Sequence, residues 1–467
     1  MLEPEHNPNP PSVVDPPRIL RAMLARVMSR AANTQQITRK RERFEKRRIA
    51  DGKPHVVEYF HQLDDPYSHL SAQVLKRFAD RYDVEIIPRL IRATGGKNQP
   101  ESEKLATWAR RDAELIAPHF GLSFPHDVDV TPPQHAQRAA ASLLAESAGA
   151  EGVNSIAGTD FVSIIERTST AMWKGELPAR QGFADADIDK TLDQGSSRLK
   201  ELGHYSGAMF YYGGEWYWGI DRLFHLEQRL RELGVCRAPA LPYIAPRPAA
   251  DLTGIDARQL ALHFYPSLNS PYTAIIYDRT LALAEACQIQ LHHKPVLPMV
   301  MRGVPATPTK VKYILFDTKR EADCFGVPFG HLVSPIGTPT RQAYALLYWA
   351  KQQDKDRVLL STLLRHAWSQ GKGLHKTSNM RRAVEAAGLD WSEAYRHLDS
   401  DTWKLWVERN QQEMVNGMGL WGVPCFRVSG PQEEPDLSVW GQDRLWLVAA
   451  EIRRRSSQLS ISRNHSS

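Results

Sequence analysis

The chain has 467 residues, a length that suits about three domains, and it is 42% hydrophobic and 24% charged, as is ordinary for a soluble globular protein. No apolar run reaches the ~18 residues of a membrane-spanning helix, and a formal net charge of +6 is too small to mark a nucleic-acid-binding chain by itself. The four cysteines, Cys236, Cys287, Cys324 and Cys425, form neither a C-x-x-C pair nor a metal-ligand spacing, so no dithiol centre and no metal site is expected, and a reducing cytoplasmic setting fits.

Residues 1–52 read as a basic N-terminal extension. The opening MLEPEHNPNPPSVVDPP is rich in proline and lacks the apolar core of a secretory signal. Between Arg18 and Lys53 stand twelve Lys or Arg against Glu42, Glu45 and Asp51. Helical spacing of Ile19, Leu20, Met23, Leu24, Val27 and Met28 predicts a helix that packs this stripe on the body; contact with nucleic acid or an anionic surface is the alternative.

Residues 53–235 and 258–455 read as two related domains. Segment 55–68, HVVEYFHQLDDPYS, is an apolar strand, a short loop and the start of a helix, and a second strand, VEIIPRLI, follows that helix. Segment 260–273, LALHFYPSLNSPYT, repeats the pattern and leads to IQLHHKPVL. Each half thus opens β-α-β, the start of a parallel sheet. Each then becomes helix-rich and closes alike: Trp218–Leu223 and Trp440–Leu445 share W-G-x-D-R-L. A proline-rich stretch, 236–257, reads as a semi-rigid linker, and 456–467 as a disordered tail. His292 and His293 are neighbours on a strand, so their side chains face opposite ways and cannot share a metal.

In the second half, Ser270 precedes Pro271 at a helix start. Serine caps a helix and proline suits its first position. A thiolate bound there gains from the helix dipole and from the serine O–H, and both lower a thiol pKa. Later, Trp421-Gly422-Val423-Pro424-Cys425-Phe426 places a proline suited to a cis bond directly before a strand, where the edge of Val423 could pair with an extended peptide. Cys425 reads as a small buried strand residue.

Strand-loop-S-P-Y, then G-V-P, then W-G-Q-D-R-L resembles the DsbA-like family that includes 2-hydroxychromene-2-carboxylate isomerase and kappa-class glutathione transferase. The resemblance implies an α/β fold of two tandem thioredoxin-like (DsbA-type) domains, each with a helical insertion. It implies glutathione as cofactor, with Ser270 at its sulfur, Val423 and Pro424 at its cysteinyl backbone, Gln442 and Asp443 at its γ-glutamyl end, and Lys310 of Lys310-Val311-Lys312-Tyr313 as a further contact. It also implies an isomerase or transferase acting on a small electrophilic organic substrate, with Tyr272, Trp421 and Trp368 as candidate aromatic contacts, and it leaves dimerisation open. In the first half Asp65 takes the serine position, Met209 the proline position, and Asp221 keeps the acid of G-I-D-R-L, which marks a degenerate site. An ionised Asp65 would repel a thiolate ~4 Å away by about 4 kcal/mol at an effective dielectric of ~20. A DsbA-type thiol oxidoreductase is the family alternative, although Ser270–Thr273 contains no sulfur; a non-catalytic binding or scaffold protein is the other.

Overall fold

The computed structural model describes residues 7–125, 133–147, 158–177, 184–249, 252–431 and 434–466. The chain divides into two compact units, 39–248 on one side, and 1–38 together with 249–467 on the other. The N-terminal stretch supplies α1 (Pro11–Val14), α2 (Arg18–Ala31) and α3 (Thr34–Ala50).

The unit of 39–248 is built on a four-stranded sheet in the order β2-β1-β3-β4, from β1 (Val56–Gln62), β2 (Glu85–Ile91), β3 (Met209–Tyr212) and β4 (Glu215–Trp218). Helix α4 (Pro66–Arg81) links the parallel pair β1 and β2, while β3 and β4 are antiparallel. The sheet core is Val57, Tyr59 and Phe60 of β1 with Phe210 and Tyr212 of β3, all buried. Leu70, Val74, Leu75 and Phe78 of α4 and Leu223, Leu226 and Leu230 of α9 (Gly219–Glu232) are buried with them, at about 1.5–3 kcal/mol each. Helices α5 (Ser102–Ile116), α6 (Pro133–Ser147), α7 (Gly158–Trp173) and α8 (Asp185–Glu201) fill the interval between β2 and β3.

The other unit repeats the plan. Its sheet runs β6-β5-β7-β8, from β5 (Ala261–Tyr265), β6 (Gln290–His293), β7 (Cys425–Ser429) and β8 (Leu437–Trp440). Helix α10 (Pro271–Ala286) makes the first crossover, and α11 (Pro308–Phe325), α12 (Thr338–Lys351), α13 (Asp356–Trp368), α14 (Thr377–Ala386), α15 (Trp391–Tyr395) and α16 (Lys404–Gln412) form the insertion before β7. Helix α17 (Leu445–Ser466) closes the unit. The registers coincide: Val56 pairs with Glu85 and Ala261 with Gln290, so one step of 205 residues carries both partners onto their counterparts. The same step relates the Tyr67–Asp112 and Tyr272–Asp317 hydrogen bonds, both 2.8 Å.

Three sequence expectations differ from what is found. Most of the α2 stripe is not packed on the body: Ile19, Met23, Leu24 and Val27 are 79, 57, 44 and 66% exposed, Leu20 and Met28 are half-buried, and the residue that α2 buries is Arg21. The guanidinium finds backbone carbonyls to bond, which the apolar face does not need. Residues 456–466, expected as a disordered tail, continue α17, which is anchored just before them by the buried Arg455 donating to the carbonyls of Gly430 and Pro435, both at 2.7 Å. Part of the linker belongs to the first unit. The buried Glu227 carboxylate accepts from the amides of Ile244 (2.9 Å) and Ala245 (3.0 Å) and from the Tyr82 hydroxyl (2.9 Å).

Among the described residues no helix is long and apolar enough to cross a membrane, and no group of His, Cys, Asp or Glu is arranged to hold a metal ion. His292 stacks on His263 at 4.6 Å, whereas His293 turns to Asp356, 2.5 Å away, as strand alternation requires.

Candidate functional site

The C-terminal ends of β5 and β6 and the start of β7 share one end of the second sheet. Tyr265, last in β5, pairs with Cys425, first in β7. The loop to α10 and the turn before β7 therefore begin side by side, and this is where Ser270 and Pro424 stand.

Ser270 caps α10. Its Oγ accepts from the Thr273 amide at 3.1 Å, and Pro271 occupies the first helical position. The hydroxyl proton of Ser270 has no acceptor among the described residues, and the side chain is 7% exposed. Thr273 Oγ1 in turn accepts from the Ser267 amide at 3.3 Å, which ties the loop to the helix. The end of a 16-residue helix and a spare O–H donor thus coincide at one point, an arrangement that favours a bound anion.

The Val423–Pro424 bond is cis. Val423 is half-buried, and neither its N–H nor its C=O has a partner among the described residues. Gly441 donates from its amide to the Pro424 carbonyl at 2.9 Å, which brings the 3-10 turn Gln442–Arg444 and the start of α17 beside the cis proline. Gly422 must be glycine, since a Cβ there would lie 1.8 Å from the Trp440 ring.

Two of the expected contacts are placed differently. Gln442 is 3% exposed and its Nε2 donates to Glu321 of α11 at 2.8 Å, so its side chain is turned inward, not toward a ligand. Asp443, a quarter exposed, lies in the same turn. Met209 is not the counterpart of Pro424. In the sheets Met209 pairs with Phe60 and Trp218, as Cys425 pairs with Tyr265 and Trp440, so Met209 corresponds to Cys425 and Ala208 to Pro424. Strand register decides this, and the loop sequence alone had placed it one residue late. Lys310 sits in the first turn of α11, where burial holds its ammonium pKa below the usual lysine value. Asp221 stands in the first turn of α9.

The aromatic candidates are mostly structural. Trp421 and Trp368 are each 6% exposed, and Trp368 Nε1 donates to the Leu268 carbonyl at 3.0 Å. The Tyr272 hydroxyl is bonded to Asp317. Cys425 is fully buried, and desolvation pushes its thiol well above the ordinary range, so it stays protonated and inert.

Sequence reasoning missed Arg302. Arg302 is half-buried and its guanidinium donates to the carbonyls of Trp421 (2.6 Å) and Leu297 (2.9 Å), and desolvation lowers its pKa only to about 10. It remains a cation and fixes the approach to Val423. A lone arginine inside VLPMVMRGVP was the available signal.

The equivalent point in the first unit is closed on itself. Asp65 caps α4 and accepts from both the amide (2.9 Å) and the hydroxyl (2.8 Å) of Ser68. Ser68 Oγ accepts from the amides of Gln62 (3.2 Å) and Ala208 (2.9 Å). The Ala208 amide is a donor that proline at this position could not supply, and Ala208 adopts φ 55° to make the bond. Burial raises the Asp65 pKa to about 6, against the pull of its bonds from Ser68. The carboxylate is spent on its own helix.

With this geometry in hand, residues 261–453 match the family model of the DSBA-like thioredoxin domain. The chain is an α/β protein with two sheets and a DsbA-like thioredoxin domain in its C-terminal half. Among solved structures it is similar to 2-hydroxychromene-2-carboxylate isomerase, at 19% identity over 43% of this chain and 98% of that one, with a TM-score of 0.36. It is also similar to the cytosolic disulfide reductase DsbM from Pseudomonas aeruginosa, at 15% identity over 43% of this chain and 99% of that one, with a TM-score of 0.32. A third is α-DsbA1 from Wolbachia pipientis, at 9% identity over 46% and 94%, with a TM-score of 0.29. No curated protein matches the chain.

Proposed function

We propose that the chain is a tandem pair of DsbA-type domains whose second copy works as a glutathione-dependent isomerase or transferase on a small electrophilic organic substrate in the cytoplasm. The common strand order and the 205-residue step support the tandem reading. The observation that carries the activity is that one sheet end holds both a Ser270 hydroxyl whose proton has no acceptor and a Val423 backbone edge that has no partner among the described residues.

Bound glutathione would supply a nucleophilic sulfur. Ser270 would donate its proton in a hydrogen bond to that sulfur, and the α10 terminus would favour its anionic form; the thiol proton leaves to solvent. Val423 would hold the cysteinyl backbone by paired amide and carbonyl bonds, as an added strand does. Arg302 keeps that edge in place through the Trp421 carbonyl. Asp443, a quarter exposed and 3.8 Å from the Arg444 guanidinium, would stand at the γ-glutamyl end; the Gln442 side chain, buried on Glu321, would not reach it.

A dithiol mechanism finds no support in the residues. Exchange needs a thiolate at the helix start, where Ser270 and Thr273 stand, and Cys425 is buried and protonated. The first copy is read as retained for packing, since the groups that would receive a ligand are bonded to one another.

Isothermal titration of glutathione into the whole protein and into Ser270→Ala tests the assignment. Loss of one charge-assisted hydrogen bond should weaken binding about tenfold to a hundredfold. Absence of binding at millimolar glutathione, or equal affinity of the two proteins, would reject it.

A further inference from the structure

We propose that Arg21 and the paired Asn7 and Asn9 are positioning residues for the Ser270 site, so that the N-terminal arm is a working part of a site whose other residues lie some 250–400 positions away in sequence. The proposal rests on the Ser270 end of α10 being the ligand site.

The arm reaches both sides of that site through two separate relays. The first begins at Arg21. Its guanidinium is buried and donates to the carbonyls of Ser334 (2.6 Å) and Ile336 (2.9 Å), with Asp15 Oδ1 at 3.1 Å on the same group. Ser334 Oγ then donates to Asn269 Oδ1 at 2.7 Å, and Asn269 is the residue next to Ser270. The second relay begins at Asn7 and Asn9, whose side-chain amides donate to the Val300 carbonyl at 2.9 and 3.0 Å. Val300 belongs to the turn Met299–Arg302, and Arg302 holds the Trp421 carbonyl two residues before Val423. One arm therefore fixes the loop behind the hydroxyl donor and the loop behind the backbone edge.

The loop 330–337 shows why the arm is needed. Its first part is bonded to α13, with Gly330 and Val333 donating to the carbonyls of Trp368 (3.2 Å) and Ala367 (2.8 Å). Its second part has no such bonds to α13 among the described residues: α12 takes the Pro335 carbonyl through Thr340 Oγ1 (2.7 Å), and Arg21 satisfies the Ser334 and Ile336 carbonyls in a forked geometry that lysine cannot copy. Asp15 adds a cap to α12, accepting from the amide (2.9 Å) and hydroxyl (2.6 Å) of Thr338. Gly337 is fitted to the arm: it has φ 87°, and a Cβ there would lie 2.1 Å from Asp15 Oδ1. Ser29 Oγ accepts from the Leu332 amide at 2.8 Å, a further bond to the same loop. A mere solvated extension would not satisfy so many backbone groups of one loop.

Hydrogen exchange and thiolate absorbance on the full chain separate positioning from simple support. In Arg21→Ala, amides of 267–273 and 329–337 should exchange at least about tenfold faster, while Val56–Gln62 in the other unit keeps its rate. Glutathione should bind about tenfold more weakly, and the pKa of the bound thiol, read from its ultraviolet absorbance, should rise. Arg21→Lys should restore these only in part. Asn7→Ala with Asn9→Ala should speed exchange at 299–304 and 421–424. If 329–337 loosens in Arg21→Ala while 267–273, thiol affinity and bound-thiol pKa all stay as in the wild type, the arm does not position the site and the inference falls. If the wild type binds no glutathione yet 267–273 still responds to Arg21, the functional assignment fails and the positioning role stands.

Discussion

Asp65→Asn is expected to stabilise the 39–248 unit at neutral pH and to leave it unchanged in acid. Burial outweighs the bonds from Ser68 and raises the carboxyl pKa from 3.8 to about 6. Between about pH 4 and pH 6 the folded form keeps a proton that the unfolded chain has released, so stability is full below that window and falls as pH rises through it. At ~1.36 kcal/mol per pKa unit the penalty at neutral pH is about 3 kcal/mol, and partial exposure brings it nearer ~2 kcal/mol. Asparagine keeps an acceptor for the Ser68 amide and hydroxyl, 2.9 and 2.8 Å from the carboxylate in the native chain, and carries no charge. Urea midpoints from pH 4 to 7.5, followed by hydrogen exchange across Val56–Gln62 so that this unit alone is read, should show the variant ahead by about 2 kcal/mol at pH 7.5 and level at pH 4. Equal midpoints at pH 7.5, or a less stable variant, would mean that Asp65 is not held in a penalised niche, and would favour a first domain whose Asp65 charge serves a ligand.

Other residues offer shorter tests. Cys425→Ala should leave glutathione affinity within about twofold and cost about 1 kcal/mol from the lost buried sulfur, by calorimetric titration and urea unfolding; a large drop in affinity would give the thiol a role it is denied here. Glu227→Ala strips the buried amides of Ile244 and Ala245 of their acceptor and should cost about 3 kcal/mol, with faster proteolysis between 237 and 247; an unchanged cleavage rate would show that segment to be a free linker after all.

The two β-α-β openings, the Ser270 cap and the cis proline candidate could be read from sequence because each is a local signal: an apolar run, a serine before a proline, a proline directly before a strand. Pairings across long distances could not. The counterpart of Pro424 depends on strand register, which moved it from Met209 to Ala208, and that one-residue step uncovers the Ala208 amide that closes the first site. Gln442 follows a glycine at φ 116° in a 3-10 turn, and nothing in W-G-Q-D-R-L says that its amide will turn inward to Glu321 on α11. The α2 stripe has proper helical spacing, yet tertiary bonding of Arg21 sets which face is buried. Periodicity gives a face; only the partner decides its direction.

The most direct test of the central claim is the pKa of the glutathione thiol bound to the whole protein, compared between wild type and Ser270→Ala. With Ser270 in place, the thiol should titrate at least about one unit below its free value near 8.5, and the alanine variant should return it toward that value. A bound thiol whose pKa is unshifted in the wild type, or lowered equally in both proteins, would contradict the assignment of Ser270 as the group that receives the sulfur.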